Sequence, residues 1–183
     1  MLNPSACKLL FLAASVSIVG HAQAQQSNAS ACAGFDRASS TALQTMKAKA
    51  EELKIGGAAV LACFEGDSIQ SWSSKMLVAG RMKDEQTATD KGSNLLAIAY
   101  AKAAEMADTL KDSGSEVRPP MTGEFGWEGG VIVSIKGGHI IAAFSGGKSE
   151  DDVAVSRTGA AKIIEELRKP GSYRPESLGH PAE

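Results

Sequence analysis

The chain has 183 residues, 43% of them hydrophobic and only 5% aromatic, with 19 Lys and Arg against 21 Asp and Glu for a net charge of -2. That balance argues against a nucleic-acid partner, which would favour a basic stripe. The length suits one domain, with room for a short leader.

The first 24 residues follow the plan of a secretory signal peptide. Lys8 supplies the positive charge, Leu9 to Gly20 is mostly apolar, and Ala22-Gln23-Ala24 offers small residues for cleavage. The apolar run is shorter than the ~20 residues of a spanning helix. The competing reading is an N-terminal membrane anchor. Cleavage after Ala24 leaves 18 basic and 21 acidic residues and no other long apolar run. The expected location is therefore periplasmic or secreted, with no membrane span after signal cleavage and no nucleic-acid partner. Residues 25–35 read as a flexible segment, 36–169 as the folded domain, and 170–183 as a polar tail after Pro170.

In chain order, the first predicted helix runs from about Arg37 to Leu53, with Leu43, Met46, Ala50 and Leu53 on one face. Ala58 to Phe64 is continuously apolar and predicts a well-buried strand. Ile69 to Met82 is a second extended segment of mixed polarity, and Asp84 to Lys91 reads as a loop. Gly92 to Asp112 holds a helix with the stripe Leu96, Ala99, Ala103, Met106 and Leu110. Phe125 and Trp127 flank Gly126 in the next loop, either lining a pocket or covering the domain's own core.

Gly129 to Gly147 is the most sharply punctuated stretch. Val131 to Ile135 and Ile140 to Phe144 are strands, with Gly137 and Gly138 at a hairpin turn. Ser149 and Asp152 suggest a capping-box-like start to the last helix. The order α-β-β-α-β-β-α predicts an α+β fold: an antiparallel sheet of four to five strands with helices packed on it.

Cys32 precedes the first helix and Cys63 lies near the end of the first strand. A helix of about 17 residues is ~25 Å long, and a strand of about seven is ~23 Å. A strand folding straight back along that helix brings the two cysteines together, so a Cys32–Cys63 disulfide is expected in an oxidising compartment. The alternative is one buried and one loose thiol.

Motifs for catalysis are sparse. His139 and His180 do not form a metal-ligand pair by spacing, and there is no H-E-x-x-H, paired C-x-x-C, G-x-S-x-G or phosphate-loop pattern. Ser145-Gly146-Gly147 ahead of a helix could receive an anionic group through backbone N–H donors, or could be only a tight turn. A tetrapyrrole needs an apolar slot, an axial donor and a partner for its carboxylates. The candidate donors are His139, Tyr100, Met82 and Met121, with Lys102 to meet a carboxylate. Each also has an ordinary reading as a turn residue, helix flank, core or loop sulfur, or solvated lysine.

Several segments together resemble the GlcG/HbpS-type haem-binding family, which is similar to the C-terminal domain of PduO-type proteins. They are Val78-Ala79-Gly80-Arg81-Met82, Ala97 to Ala103 with its Lys102-Ala103 pair, Gly129-Gly130-Val131-Ile132, Gly138, and Phe144-Ser145-Gly146-Gly147 followed by Asp152 and Gly159. The match spreads over roughly residues 42–164. Lys83 stands where the family has an Asp-like residue, and Ile132 where proline is usual. The resemblance implies a compact antiparallel-sheet domain, a homo-oligomer, and haem or cobalamin binding in some members. The first expectation is thus an exported, non-enzymatic haem-binding protein for storage, sequestration or sensing. Its ligand-binding candidates are Met82, Tyr100, Lys102, Phe125, His139, Ser145, Gly146 and Gly147, and His139 is the candidate metal ligand. The alternatives are a binding module for a small carboxylate metabolite, near Lys102 and Ser145 to Gly147, and a haem-modifying enzyme.

Overall fold

A computed structural model describes residues 30–169. The proposed leader, the start of the 25–35 segment and the tail 170–183 fall outside them. Three helices and six strands follow in order: α1 (Phe35–Glu52), β1 (Gly57–Glu65), β2 (Ser73–Ala79), β3 (Lys83–Asp84), β4 (Ser93–Asn94), α2 (Leu95–Thr109), β5 (Gly130–Ile135), β6 (Gly138–Ser145) and α3 (Ser149–Leu167). The expected α+β architecture is the one observed. The addition is a short β3–β4 ladder, Lys83 opposite Asn94, whose strands flank the stretch read from sequence as a loop, with β4 at the start of the stretch read as helix.

The main sheet has the order β2-β1-β6-β5, and all three of its pairings are antiparallel. Two hairpins thus meet side by side, with β1 and β6 in the centre. That position explains their composition. Every residue of β6, and all of β1 except Glu65, is buried, as a strand covered on both faces requires.

The side-chain alternation of the strands sorts two cores. Ala59, Leu61, Cys63, Ile140, Ala142 and Phe144 pack with Phe35, Met46, Val155 and Ile163 of α1 and α3. Ala58, Val60, Ala62, Phe64, Ile141 and Ala143 pack on the other face with Leu95, Ala99, Ala103 and Met106 of α2. The β5–β6 hairpin closes through Lys136 and Gly137, with Ile135 opposite Gly138. Gly137 has φ 85°, the left-handed conformation that such a two-residue turn demands.

Cys32 and Cys63 are disulfide-bonded, with Cα atoms 5.8 Å apart. The bond joins the turn before α1 to the buried strand β1. Residues 30–34, within the segment read as flexible, form this turn, and Phe35 N donates to Cys32 O at 3.0 Å.

The start of α3 corrects the expected cap. Lys148 occupies the N-cap position with no side-chain hydrogen bond, and Ser149 is already helical. Asp152 turns inward instead. Its Oδ1 accepts from Gly147 N at 2.8 Å, so it secures the loop ahead of the helix rather than a helical N–H.

Candidate functional site

The site forms where the C-terminal end of β6, the start of α2 and the loop before β5 converge. Asn94 caps α2, its Oδ1 accepting from Ala97 N at 3.0 Å. Met82 O accepts from Leu95 N at 2.9 Å, which seats the β3–β4 ladder against the helix start. Arg81 pins the neighbouring loops. Its Nη1 and Nη2 donate to Gly56 O and Gly146 O, each at 2.8 Å, and its Nε donates to Asp84 Oδ1 at 2.7 Å.

At the floor lies a buried ion pair. Lys102 Nζ donates to Asp152 Oδ2 at 2.9 Å and to Phe144 O at 2.8 Å. The two side chains are 3% and 5% exposed. Burial pushes the Lys102 ammonium below its ordinary pKa, while the charge and hydrogen bond of Asp152 pull the other way. The pair joins α2 to α3 across the end of β6. Gly129 makes room for it. A Cβ there would lie 2.2 Å from Lys102 Nζ and 2.9 Å from Asp152 Cβ, and the residue sits at φ 132°. Gly129 O also accepts from Ser156 Oγ at 2.7 Å and Phe144 N at 3.0 Å.

Above this floor a cleft of about 200 Å³ opens. Its lining includes Lys102, Asp152, Ser145, Asp84, Glu128 and Trp127. Gly146 and Gly147 form one wall, and Leu95 and Ile98 supply apolar surface. Trp127 is 51% exposed and stacks on Phe125, ring centroids 4.7 Å apart. The aromatic pair therefore faces outward at the cleft mouth and does not cover the domain's own core.

The segment bearing these rings is clamped. Arg118 donates from Nη1 and Nη2 to Glu124 at 2.6 and 2.8 Å, and from Nε and Nη2 to Asp108 on α2 at 3.1 and 2.6 Å. Glu124 Oε2 also accepts from Met121 N at 2.8 Å. The Arg118 hydrogen bonds pull the Glu124 carboxyl down to about 2.

The candidate residues from the sequence separate into three places. Lys102, Ser145, Gly146 and Gly147 line the cleft together. Met82 and Phe125 are exposed near its borders, Met82 beside the start of α2 and Phe125 against Trp127. Tyr100 faces the edge strand, its OH 3.3 Å from Ser74 Oγ and its ring 6.3 Å from Trp72. His139 lies six residues from Ser145 along β6, about 20 Å away at strand spacing. Its Nε2 is 2.9 Å from Asp67 Oδ1, its Nδ1 is 3.3 Å from Ser134 Oγ, and its ring stacks on Phe64.

Four larger clefts of about 490–530 Å³ lie elsewhere on the chain. None of these five clefts is lined by His139, Tyr100, Met82 or Met121. Among the described residues, no group of three or more His, Cys, Asp or Glu could hold a metal ion. Sequence reasoning missed Asp84, Glu128 and the inward turn of Asp152. Their acidity was visible, but helix starts and loops carry solvated acids routinely, and only the fold brings these three to one cleft.

No protein-family model matches the chain, and no curated protein does. Among solved structures, the chain is similar to the crystal structure of Klebsiella pneumoniae protein ORFY, described by the family model DUF336. The identity is 14% and the TM-score 0.43, over 70% of this chain and 88% of that one. At that TM-score the likeness assigns this chain neither a family nor a function. No helix among the described residues is long and apolar enough to cross a membrane.

Proposed function

We propose that the protein is a non-enzymatic binding module that takes a small molecule in the cleft above the Lys102–Asp152 pair. The observation that carries this reading is the convergence there of a buried charged pair, three serines, loop backbone and a half-exposed tryptophan. Small-molecule sites characteristically combine apolar walls with a few placed polar groups. A buried titratable pair in a cleft adds to the case. Lys102 has two of its donor positions filled, so its role is to set the floor and its field rather than to act as a free base.

The cleft is smaller than the ~300 Å³ at which pockets for drug-sized ligands begin. It suits a ligand smaller than drug-sized. The tetrapyrrole expected from the family resemblance exceeds it, and that reading places the macrocycle outside, on the exposed Phe125–Trp127 face with the Met82 thioether nearby. The presence of the Cys32–Cys63 disulfide supports function in an oxidising compartment, as an exported protein.

Thermal-shift screening of small polar molecules, repeated with Ser93→Phe to fill the cleft, tests the proposal. Stabilisation by at least one compound that vanishes in Ser93→Phe supports it. Stabilisation that survives the filled cleft contradicts it. A haemin titration followed by the Soret band and by Trp127 fluorescence tests the tetrapyrrole arm: saturable binding lost in Trp127→Ala supports it, and absence of saturation removes it.

A further inference from the structure

We infer that the ligand of this cleft is a small organic cation, an amine with a flat or apolar flank, rather than a carboxylate. The inference rests on the proposed binding role of the cleft and concerns the sign and shape of what enters it. The charged lining is Asp84, Glu128 and Asp152 against Lys102 alone. Lys102 is already matched by Asp152 at 2.9 Å inside the fold, and Asp84 by Arg81 at 2.7 Å. Glu128 is exposed and meets no cation among the described residues. An incoming carboxylate must therefore compete with Asp152 for Lys102 while facing the remaining acids. An ammonium group held at the rim meets the exposed Glu128 carboxylate, while the like charge of Lys102 stays buried and matched by Asp152.

The shape of the mouth gives the second half of the inference. Trp127 lines the same cleft and leaves half of its surface open, beside Phe125. An indole face attracts organic cations, best of the aromatic side chains. The surface is held in place before any ligand arrives, because Arg118 ties Glu124 of this segment to Asp108 of α2. Pre-organisation of that kind lowers the ordering cost of binding. The carboxylates do not form a metal-holding group. The cleft thus offers an acidic rim and a fixed aromatic wall, a combination suited to an extended organic cation rather than a compact metal ion.

Calorimetry with three probes of matched size tests this: 2-phenylethylamine, neutral 2-phenylethanol and 3-phenylpropanoate, each titrated into the intact protein at low salt. The amine is expected to bind at least about tenfold tighter than the carboxylate, from the opposite sign of its charge in an acidic cleft. Glu128→Gln should weaken the amine about two- to fivefold, the range of an exposed ion pair. Trp127→Ala should weaken it about two- to fivefold through loss of the cation–π contact. Neither exposed side chain contributes to the core, so both variants remain folded. Tighter binding of the carboxylate or the alcohol, abolished by Ser93→Phe, overturns the cationic assignment and leaves the cleft as the site. Amine binding that survives Ser93→Phe, or no binding of any probe at millimolar concentration, overturns the assignment; the thermal-shift screen then decides separately whether the cleft binds anything.

Discussion

Replacing Lys102 by Met removes the ammonium and keeps most of the side-chain volume. Asp152, 5% exposed, then stands as a buried carboxylate without its cation, and Phe144 O loses the ammonium donor. Removing one partner of a buried ion pair costs about 3–5 kcal/mol. Asp152 retains the Gly147 N–H at 2.8 Å, so the low end of that range applies, about 3 kcal/mol. At roughly 2–4 °C per kcal/mol for a domain of this size, the melting temperature should fall by about 6–12 °C. The double variant Lys102→Met/Asp152→Asn removes the stranded charge yet keeps an oxygen for Gly147 N–H, and should recover half or more of the loss. Urea unfolding at pH 7, followed by near-UV circular dichroism, measures all three proteins. A cost below about 1 kcal/mol for Lys102→Met, or no recovery in the double variant, refutes the buried-pair account.

Four further outcomes are expected. Glu124 is held at about 2 against an ordinary 4.5, so its contribution to stability is complete above pH 4.5 and is lost as pH falls toward 2; Glu124→Gln should flatten that acid limb in pH-dependent melting. Arg118→Ala should release residues 118–127 from α2, read as faster amide hydrogen exchange there with little change in β1 and β6, while Gly114 stays tied to Glu105 of α2. Loss of the disulfide in Cys32→Ser/Cys63→Ser, which frees a sequence separation of 31, should cost about 3–4 kcal/mol by loop entropy, measured by denaturant unfolding. Gly159→Ala should destabilise by about 1–3 kcal/mol despite better helix propensity, because the new Cβ would lie 2.4 Å from Met46 Sδ between α1 and α3; a rise in melting temperature would contradict that packing.

The elements most legible in the sequence are those whose pattern reflects burial. The unbroken apolar run Ala58 to Phe64 predicts a well-buried strand, and β1 is central in the sheet. Gly137 marked its turn because the turn needs positive φ. The cysteines could be paired because helix and strand lengths match, and they are bonded. The β3–β4 ladder was illegible because two-residue strands carry no period. Half of the expected site was brought together, Lys102 with Ser145 to Gly147. His139 and Tyr100 went elsewhere because residues of one strand or one helix can face different ends of a fold. Asp152 was read as a helix cap, since a short-range pattern gives no sign that a side chain will turn into the core. Ile132, the departure from the resembled family's proline, has a local partner: its N–H donates to Asp112 Oδ1 at 2.9 Å on the edge strand, which a proline could not do.

Amide chemical-shift mapping locates the ligand against the cleft above Lys102 residue by residue. On titration of the isotopically labelled protein with 2-phenylethylamine, the account predicts saturable shifts at Ile98, Lys102, Ser145, Gly146, Gly147 and the Trp127 indole. Saturable shifts confined to the His139–Asp67 end of the sheet, or to the cleft beside Cys32 and Cys63, would contradict it.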